Sequence, residues 1–343
     1  MCLEVDDKVS VGSNANLSPL RRLRVAVAGL GVIGEGAALR LAEADEPYVL
    51  CAALVRDPAK SRDERLSALR AYADPNVFLI EHPDVIVDAL PCGEAGRNLI
   101  EAALSRGISV VTANKQAVAG AISHFKDLAA KNNATFAYSP SVGGGAPMIE
   151  TMQRARREGE ARSITAILNG TVNYILSAMR EGALFDDAVK RAQDAGFAEP
   201  DPTADLSGED ARAKVSILTY EAFGRELPLS SIKVEALTRA RAAEFKKLGG
   251  AWKQLAVVKK SQDGGISARV RYERVDDDPF FREIIGEGNA LRVLNTDGAS
   301  FNCDGKGAGR VPTVASIFAD LARIASMPPG NATNAARGIK TFS

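Results

Sequence analysis

Leu23-Arg24-Val25-Ala26-Val27-Ala28-Gly29-Leu30-Gly31-Val32-Ile33-Gly34 is the stretch on which the fold turns. Leu23 to Ala28 is a short β-prone apolar run. It enters a G-x-G-x-x-G turn, and residues 35–45 continue with helical character, rich in Ala and Leu. In that context each glycine has a task. Gly29 permits the tight turn, Gly31 lets backbone approach a pyrophosphate, and Gly34 allows the helix to pack closely on the strand. The helix N-terminus attracts phosphate. Gly29, Gly31 and Gly34, with Val32 and Ile33 between them, are the expected dinucleotide contact. The plainer reading is a strand-to-helix turn without a ligand.

Outward from this turn, strands and helices alternate. Apolar runs at Tyr48–Val55, Val85–Leu90, Ser109–Thr112 and Thr135–Tyr138 predict strands, and 58–72, 94–106 and 121–131 predict helices. That alternation predicts an α/β domain, a Rossmann-type parallel sheet with helices on both faces, over residues 23–140. Residues 1–22 read as a flexible N-terminal arm. Past the Ser141–Pro147 junction the rhythm changes. Strands are expected at 163–168, 253–260 and 266–274, with long helices at 173–195 and 208–223. This predicts an α+β second domain over 141–310, with partly antiparallel strands. A helix at about 312–326 follows the glycine-rich turn Gly305 to Gly309, and 328–343 reads as a mobile tail.

Composition narrows the function. A chain of 343 residues suggests two domains. Lys plus Arg and Asp plus Glu both total 43, so a general electrostatic grip on nucleic acid or an anionic membrane is not expected. The chain has no uninterrupted 18-residue apolar run. Its four cysteines form no C-x-x-C pair, and two histidines cannot build a three-His metal site. The first twenty residues lack the apolar core of a signal peptide. The expectation is a soluble cytoplasmic enzyme.

Two further segments carry chemistry. After the second strand, Arg56, Lys60 and Arg62 form a basic cluster suited to a 2′-phosphate, and therefore to NADP(H). Asp57 leaves NAD(H) open, since a carboxylate here accepts a ribose hydroxyl. A solvated charged turn is the bland alternative. In Gly196 to Lys214, two prolines stiffen a loop, and Ser207 with Asp210 fits a capping box. Asp210 and Lys214, four residues apart on one helical face, are spaced to pair. A helix cap with a surface ion pair explains the spacing without any function.

The chain resembles the homoserine dehydrogenases over about residues 23–327. The motifs that carry the resemblance, in order, are the turn at 29–34, Thr112-Ala113-Asn114-Lys115, Val142-Gly143-Gly144-Gly145-Ala146-Pro147, Asn169-Gly170-Thr171-Val172-Asn173-Tyr174-Ile175-Leu176, the 196–214 segment, and Gly307-Ala308-Gly309-Arg310-Val311-Pro312-Thr313 with Asp320-Leu321. The resemblance implies an NAD(P)-binding domain, a catalytic and dimerisation domain, and a C-terminal helix (311–327) that returns to the first. It is to the short form, with no regulatory module. The implied reaction is reversible hydride transfer between L-homoserine and L-aspartate 4-semialdehyde, in threonine and methionine biosynthesis, by a homodimer.

By resemblance Lys214 is catalytic, with Lys115 and Asp210 beside it. Glu199, Asp205, Gly170 and Thr171 meet the amino-acid substrate. Thr112, Lys115 and Gly309 join the glycine turn, Arg56 and Lys60 at the cofactor. The family's monovalent-cation loop matches Val142, Gly144 and Ala146, but Ser139 stands where a glutamate is usual, which argues against strong sodium or potassium binding. The same departure keeps open a paralogue acting on a related amino-acid semialdehyde. A catalytically silent NADP-binding protein is a further reading, opposed by the joint presence of Lys115, Glu199, Asp205, Asp210 and Lys214.

Overall fold

A computed structural model describes residues 22–43 and 47–327. The N-terminal arm, apart from Arg22, and the tail expected at 328–343 lie outside the described residues. The first sheet contains β1 (Leu23–Ala28), β2 (Tyr48–Leu54), β3 (Ala71–Tyr72), β4 (Val85–Asp88), β5 (Ser109–Thr112) and β6 (Phe136–Ala137). All its pairings are parallel, in the order β3-β2-β1-β4-β5-β6. Strand order reverses between β1 and β4, the switch point at whose carboxyl end sheets of this kind bind their ligands.

The helices of this half are α1 (Val32–Glu43), α2 (Pro75–Leu79), α3 (Gly93–Leu104), α4 (Lys115–Val118) and α5 (Ile122–Lys131). Alternate strand residues serve opposite faces. Val25, Val27, Val85, Val87 and Val111 pack under α1, whereas Ala26, Ala28, Ile86 and Val110 pack under α3 and α5.

The 58–72 stretch is not a helix. Arg62 donates to the carbonyls of Asp57, Pro58 and Lys60 at 2.6, 3.1 and 2.7 Å, wrapping the chain into turns. Asp63 then caps a single 3-10 turn at Glu64–Leu66. These local side-chain bonds compete with the helical ladder.

The second half contains α6 (Met148–Glu158), β7 (Ala161–Ile167), α7 (Gly170–Arg180), α8 (Phe185–Asp194), α9 (Thr203–Ser207) and α10 (Glu209–Phe223). It continues with β8 (Lys233–Val234), α11 (Arg239–Leu248), β9 (Trp252–Lys260), β10 (Ile266–Arg274), α12 (Pro279–Arg282), β11 (Gly288–Asn295) and β12 (Ser300–Lys306). The single helix expected over 173–195 is two, broken at Gly182, whose φ of 106° no continuing helix adopts. The sheet order is β12-β11-β7-β9-β10-β8, antiparallel except for the β10–β8 edge. Ile164, Ala166, Val258, Val270, Leu291 and Val293 share one core with residues of α6 and α10.

Last comes α13 (Arg310–Ala325). It lies against α1, with Val314, Ile317, Phe318 and Leu321 in the same buried cluster as Val25, Leu39 and Tyr48.

Candidate active site

The glycine turn is built as its spacing requires. Gly29 has φ of +87°, and a side chain there would strike the Ala89 carbonyl oxygen at 2.7 Å. A side chain at Gly34 would overlap the Gly29 carbonyl. Nothing stands within 4 Å of the place a Gly31 side chain would take. The turn therefore offers open backbone beside the first turn of α1, which fits a pyrophosphate. Val32 is 68 % exposed and Val311 is 79 % exposed, just after Gly309; Ile33 is partly buried.

At the end of β2, Asp57 Oδ1 accepts the Ala59 amide at 2.9 Å and Arg62 is spent on the loop's own carbonyls. Arg56 and Lys60 are exposed, with no side-chain bond among the described residues. Lys60 also lines a cavity of about 260 Å³ that is shared with Leu30 of the glycine turn and with Leu66 and Leu69.

Below the crevice, Asp88 closes the apolar strand β4 with no exposed surface. Its carboxylate accepts the Thr112 hydroxyl at 2.8 Å and the Leu90 amide at 3.0 Å. Thr112 Oγ1 in turn accepts the Asn114 amide at 3.0 Å, and Asn114 caps α4 by accepting Ala117 N–H at 3.2 Å. Thr112 is thus sealed beneath the cleft, and its side chain serves the backbone that presents Lys115.

Burial pushes the Asp88 carboxyl up to about 6, against the pull of its two donors. Between about pH 4 and 6 the folded state therefore holds a proton that the unfolded state has released. The Asp88 contribution to stability falls as pH rises through that window, by about 3 kcal/mol in all, and is constant above it. Asp88→Asn should differ from the parent by the loss of this part of the slope. Urea unfolding of both proteins at pH 4.5 and 7 checks it; parallel losses would mean Asp88 titrates normally.

Lys115 Nζ reaches Asp210 Oδ1 at 2.7 Å, and Lys214 Nζ reaches Asp210 Oδ2 at 2.8 Å. One carboxylate joins a lysine from each sheet's half of the molecule. Burial alone would raise the Asp210 carboxyl, but the two ammonium groups more than reverse it and hold it well below the usual range. Lys214 is buried and also donates to the Leu168 carbonyl at 2.9 Å. An ammonium has three N–H donors, so one remains for a ligand.

The expected capping box does not form. Gly208, with φ of 81°, is the N-cap of α10, and Ser207 ends α9 with its hydroxyl donating to Ala204 O at 3.1 Å. Asp210 turns instead to the two lysines. The expected surface pair is instead drawn inward, with half-buried Asp210 at the centre of a three-residue cluster.

Asn169, which the motif reading gives no role of its own, ties the substrate segment together. Its Oδ1 accepts Val172 N–H at 3.0 Å, capping α7, and its Nδ2 donates to Asp205 O at 3.1 Å. An asparagine directly before a helical run is an N-cap signal that a sequence can show. Thr171 donates its hydroxyl to Phe197 O at 2.6 Å. A side chain at Gly170 would meet Glu287 O at 2.7 Å. Burial and the neighbouring Asp210 charge raise the Asp205 carboxyl. Glu199 stands apart: it is exposed, and its side chain has no partner among the described residues.

At the expected cation loop, Ala146 O already accepts Met148 N–H at 2.7 Å. A carboxylate is nonetheless present beside Ser139, supplied by α13. Asp320 accepts the Ser139 amide at 3.1 Å and its hydroxyl at 3.2 Å.

A dinucleotide crevice facing a lysine–carboxylate–lysine cluster defines a two-domain nicotinamide-dependent dehydrogenase. Comparison with known proteins sharpens this. Residues 29–139 match the family model described as homoserine dehydrogenase, NAD binding domain, and residues 147–322 match the homoserine dehydrogenase model. The Neisseria gonorrhoeae homoserine dehydrogenase is 30 % identical over 334 residues, covering 90 % of this chain and 73 % of that one. An NAD(+)-dependent homoserine dehydrogenase from Pseudomonas canavaninivorans is 33 % identical over 235 residues, 68 % of this chain and 67 % of its own. The Thiobacillus denitrificans homoserine dehydrogenase structure superposes with a TM-score of 0.78 at 28 % identity, over 90 % of this chain and 76 % of that one. The chain belongs to the homoserine dehydrogenase family and is an NAD(P)-dependent oxidoreductase acting on a CH–OH group. Among the described residues no helix is long and apolar enough to cross a membrane.

Proposed function

We propose that Lys214 is the proton donor and acceptor in the interconversion of L-homoserine and L-aspartate 4-semialdehyde. The observation that carries this is the Lys214 ammonium, held by Asp210 and the Leu168 carbonyl with one N–H unspent. When bound, the nicotinamide supplies hydride. The lysine delivers the proton to the developing alkoxide on aldehyde reduction, and receives it on alcohol oxidation. Asp210 and Lys115 hold that ammonium at the domain boundary. Glu199, Asp205, Gly170 and Thr171 are assigned to the substrate's amino-acid end. A panel of amino alcohols, followed by absorbance of the reduced nicotinamide, tests the substrate; activity on another amino alcohol but none on homoserine would overturn it. The setting is cytoplasmic threonine and methionine biosynthesis, and the working unit a homodimer.

NADP(H) is the preferred cofactor in this reading. Asp57 is engaged by its own turn, while Arg56 and Lys60 stand uncommitted at the adenosine end of the crevice. Arg56→Ala should weaken NADP(H) by about 1.5–3 kcal/mol, the scale of a hydrogen bond to a charged group, and barely affect NAD(H). Titrating both cofactors against both proteins decides it, since equal losses would mean Arg56 supports the loop. With Asp320 occupied by the Ser139 amide and hydroxyl, the Val142, Gly144 and Ala146 carbonyls are a neutral donor set, which predicts weak cation binding. Initial rates against sodium and potassium at constant ionic strength should differ by less than about twofold, and saturable activation by one ion would reverse the assignment.

A further inference from the structure

Helix α10 carries a fully buried carboxylate that the chemistry does not use. Glu221 lies in its last turn and is 2 % exposed. Eleven residues separate it from Asp210, about three full turns at 3.6 residues each, so both project from one face of the helix, roughly 16 Å apart along its axis. That face looks across to the nucleotide-binding half. Asp210 meets Lys115 of α4. Glu221 accepts Lys126 of α5 at 3.1 Å, and also the hydroxyl of Tyr138. Tyr138 directly precedes the Ser139–Ser141 turn, through which the chain leaves the first sheet.

The surroundings of Glu221 are equally specific. Lys126 sits over the rings of Tyr138 and Tyr220, at 5.3 and 4.8 Å from their centroids. Arg156 of α6 donates to the Glu221 carbonyl at 2.8 Å. Just beyond the helix, Glu226 accepts the Ser123 amide of α5 at 2.9 Å. A buried ion pair is a poor way to gain stability, because desolvation offsets most of its attraction. Its worth lies in fixing a relative position. Against the nucleotide-binding half the tie at Asp210 fixes one point of the core-packed α10, and a second tie three turns away, seconded by Glu226 just past the helix end, fixes its angle.

We propose that Glu221, with Lys126 and Tyr138, is a positioning residue. It sets the angle of α10 against the nucleotide-binding half, and so the placement of Lys214 over the cofactor crevice. This rests on the reading of Lys214 as the proton donor.

Glu221→Leu removes the tie while keeping an apolar fill. Turnover should fall about 10- to 100-fold, the scale of an ångström-sized misplacement. Cofactor affinity should stay within about threefold, since the glycine turn is untouched. The primary isotope effect with 4-deuterated reduced nicotinamide should rise as hydride transfer becomes slower than release steps. Glu221→Gln, which still accepts from Tyr138, should recover most of the loss. Parental turnover and isotope effect in Glu221→Leu would overturn the clamp and leave Lys214 standing. Equal damage by Leu and Gln with an unchanged isotope effect would also overturn it, as general loosening. Parental turnover in Lys214→Ala would sink the proton-donor assignment alone. If Glu221→Leu does not fold, Lys126→Met and Tyr138→Phe take its place: slower turnover with a raised isotope effect supports the clamp, and parental values in both overturn it.

Discussion

Lys214→Ala is expected to fold, bind cofactor normally and turn over about 100- to 10,000-fold more slowly than the parent, the range found on removing a general acid–base group. Among the described residues the buried side chain bonds only Asp210 and the Leu168 carbonyl, so its removal reaches no part of the glycine turn. Lys115 cannot take over without leaving Asp210, which in this variant would then have neither lysine beside it. The measurement pairs steady-state rates with fluorescence titration of the reduced cofactor. Turnover within threefold of the parent would end the assignment and make the cluster a structural ion network.

Asp210→Asn should have the next largest effect, and on two quantities at once. The substitution leaves two ammonium groups facing a neutral amide. Breaking a buried pair from one side costs about 3–5 kcal/mol, and the lower end applies because Lys115 is 31 % exposed and reaches water. Turnover should fall about 100-fold or more, since the proton donor loses its anchor. The carboxyl is held far below its usual range, so at pH 6 and above it is fully ionised in both folded and unfolded chains. The stability loss should therefore be the same at pH 6 and pH 8. Urea unfolding at both values, with initial rates alongside, checks each part; parental stability and a rate within threefold would show that the lysines do not depend on Asp210.

The nucleotide-binding half is legible in the sequence because its signals are local. The apolar run Leu23–Ala28, buried without interruption from Val25 to Ala28, and the glycine spacing are each decided within a few residues. Lys214 and Asp210 are legible as a pair for the same reason. What makes them a site, Lys115, is placed there only by family resemblance, because no pattern brings α4 against α10. Strands β11 and β12 escape a reading of the sequence. Polar residues such as Asn289, Arg292 and Asn302 interrupt their apolar alternation, and what fixes them is pairing to β7 and to each other. The 58–72 stretch misleads through composition: charged, helix-tolerant residues bond to nearby carbonyls instead. Glu221 looks like one more charge on a helix until tertiary structure buries it.

The packing of α13 on α1 also bears on how the chain is made. Val314, Ile317, Phe318 and Leu321 complete a cluster whose other members, Val25, Leu39, Val85 and Val111, all leave the ribosome far earlier. Synthesis runs at about 5–20 residues per second, and domains generally begin folding in that order. The first sheet must therefore wait, one flank uncovered, until the second half has been translated. A nascent chain stalled before Arg310 would carry that bare flank, an adhesive patch well suited to capture by a chaperone.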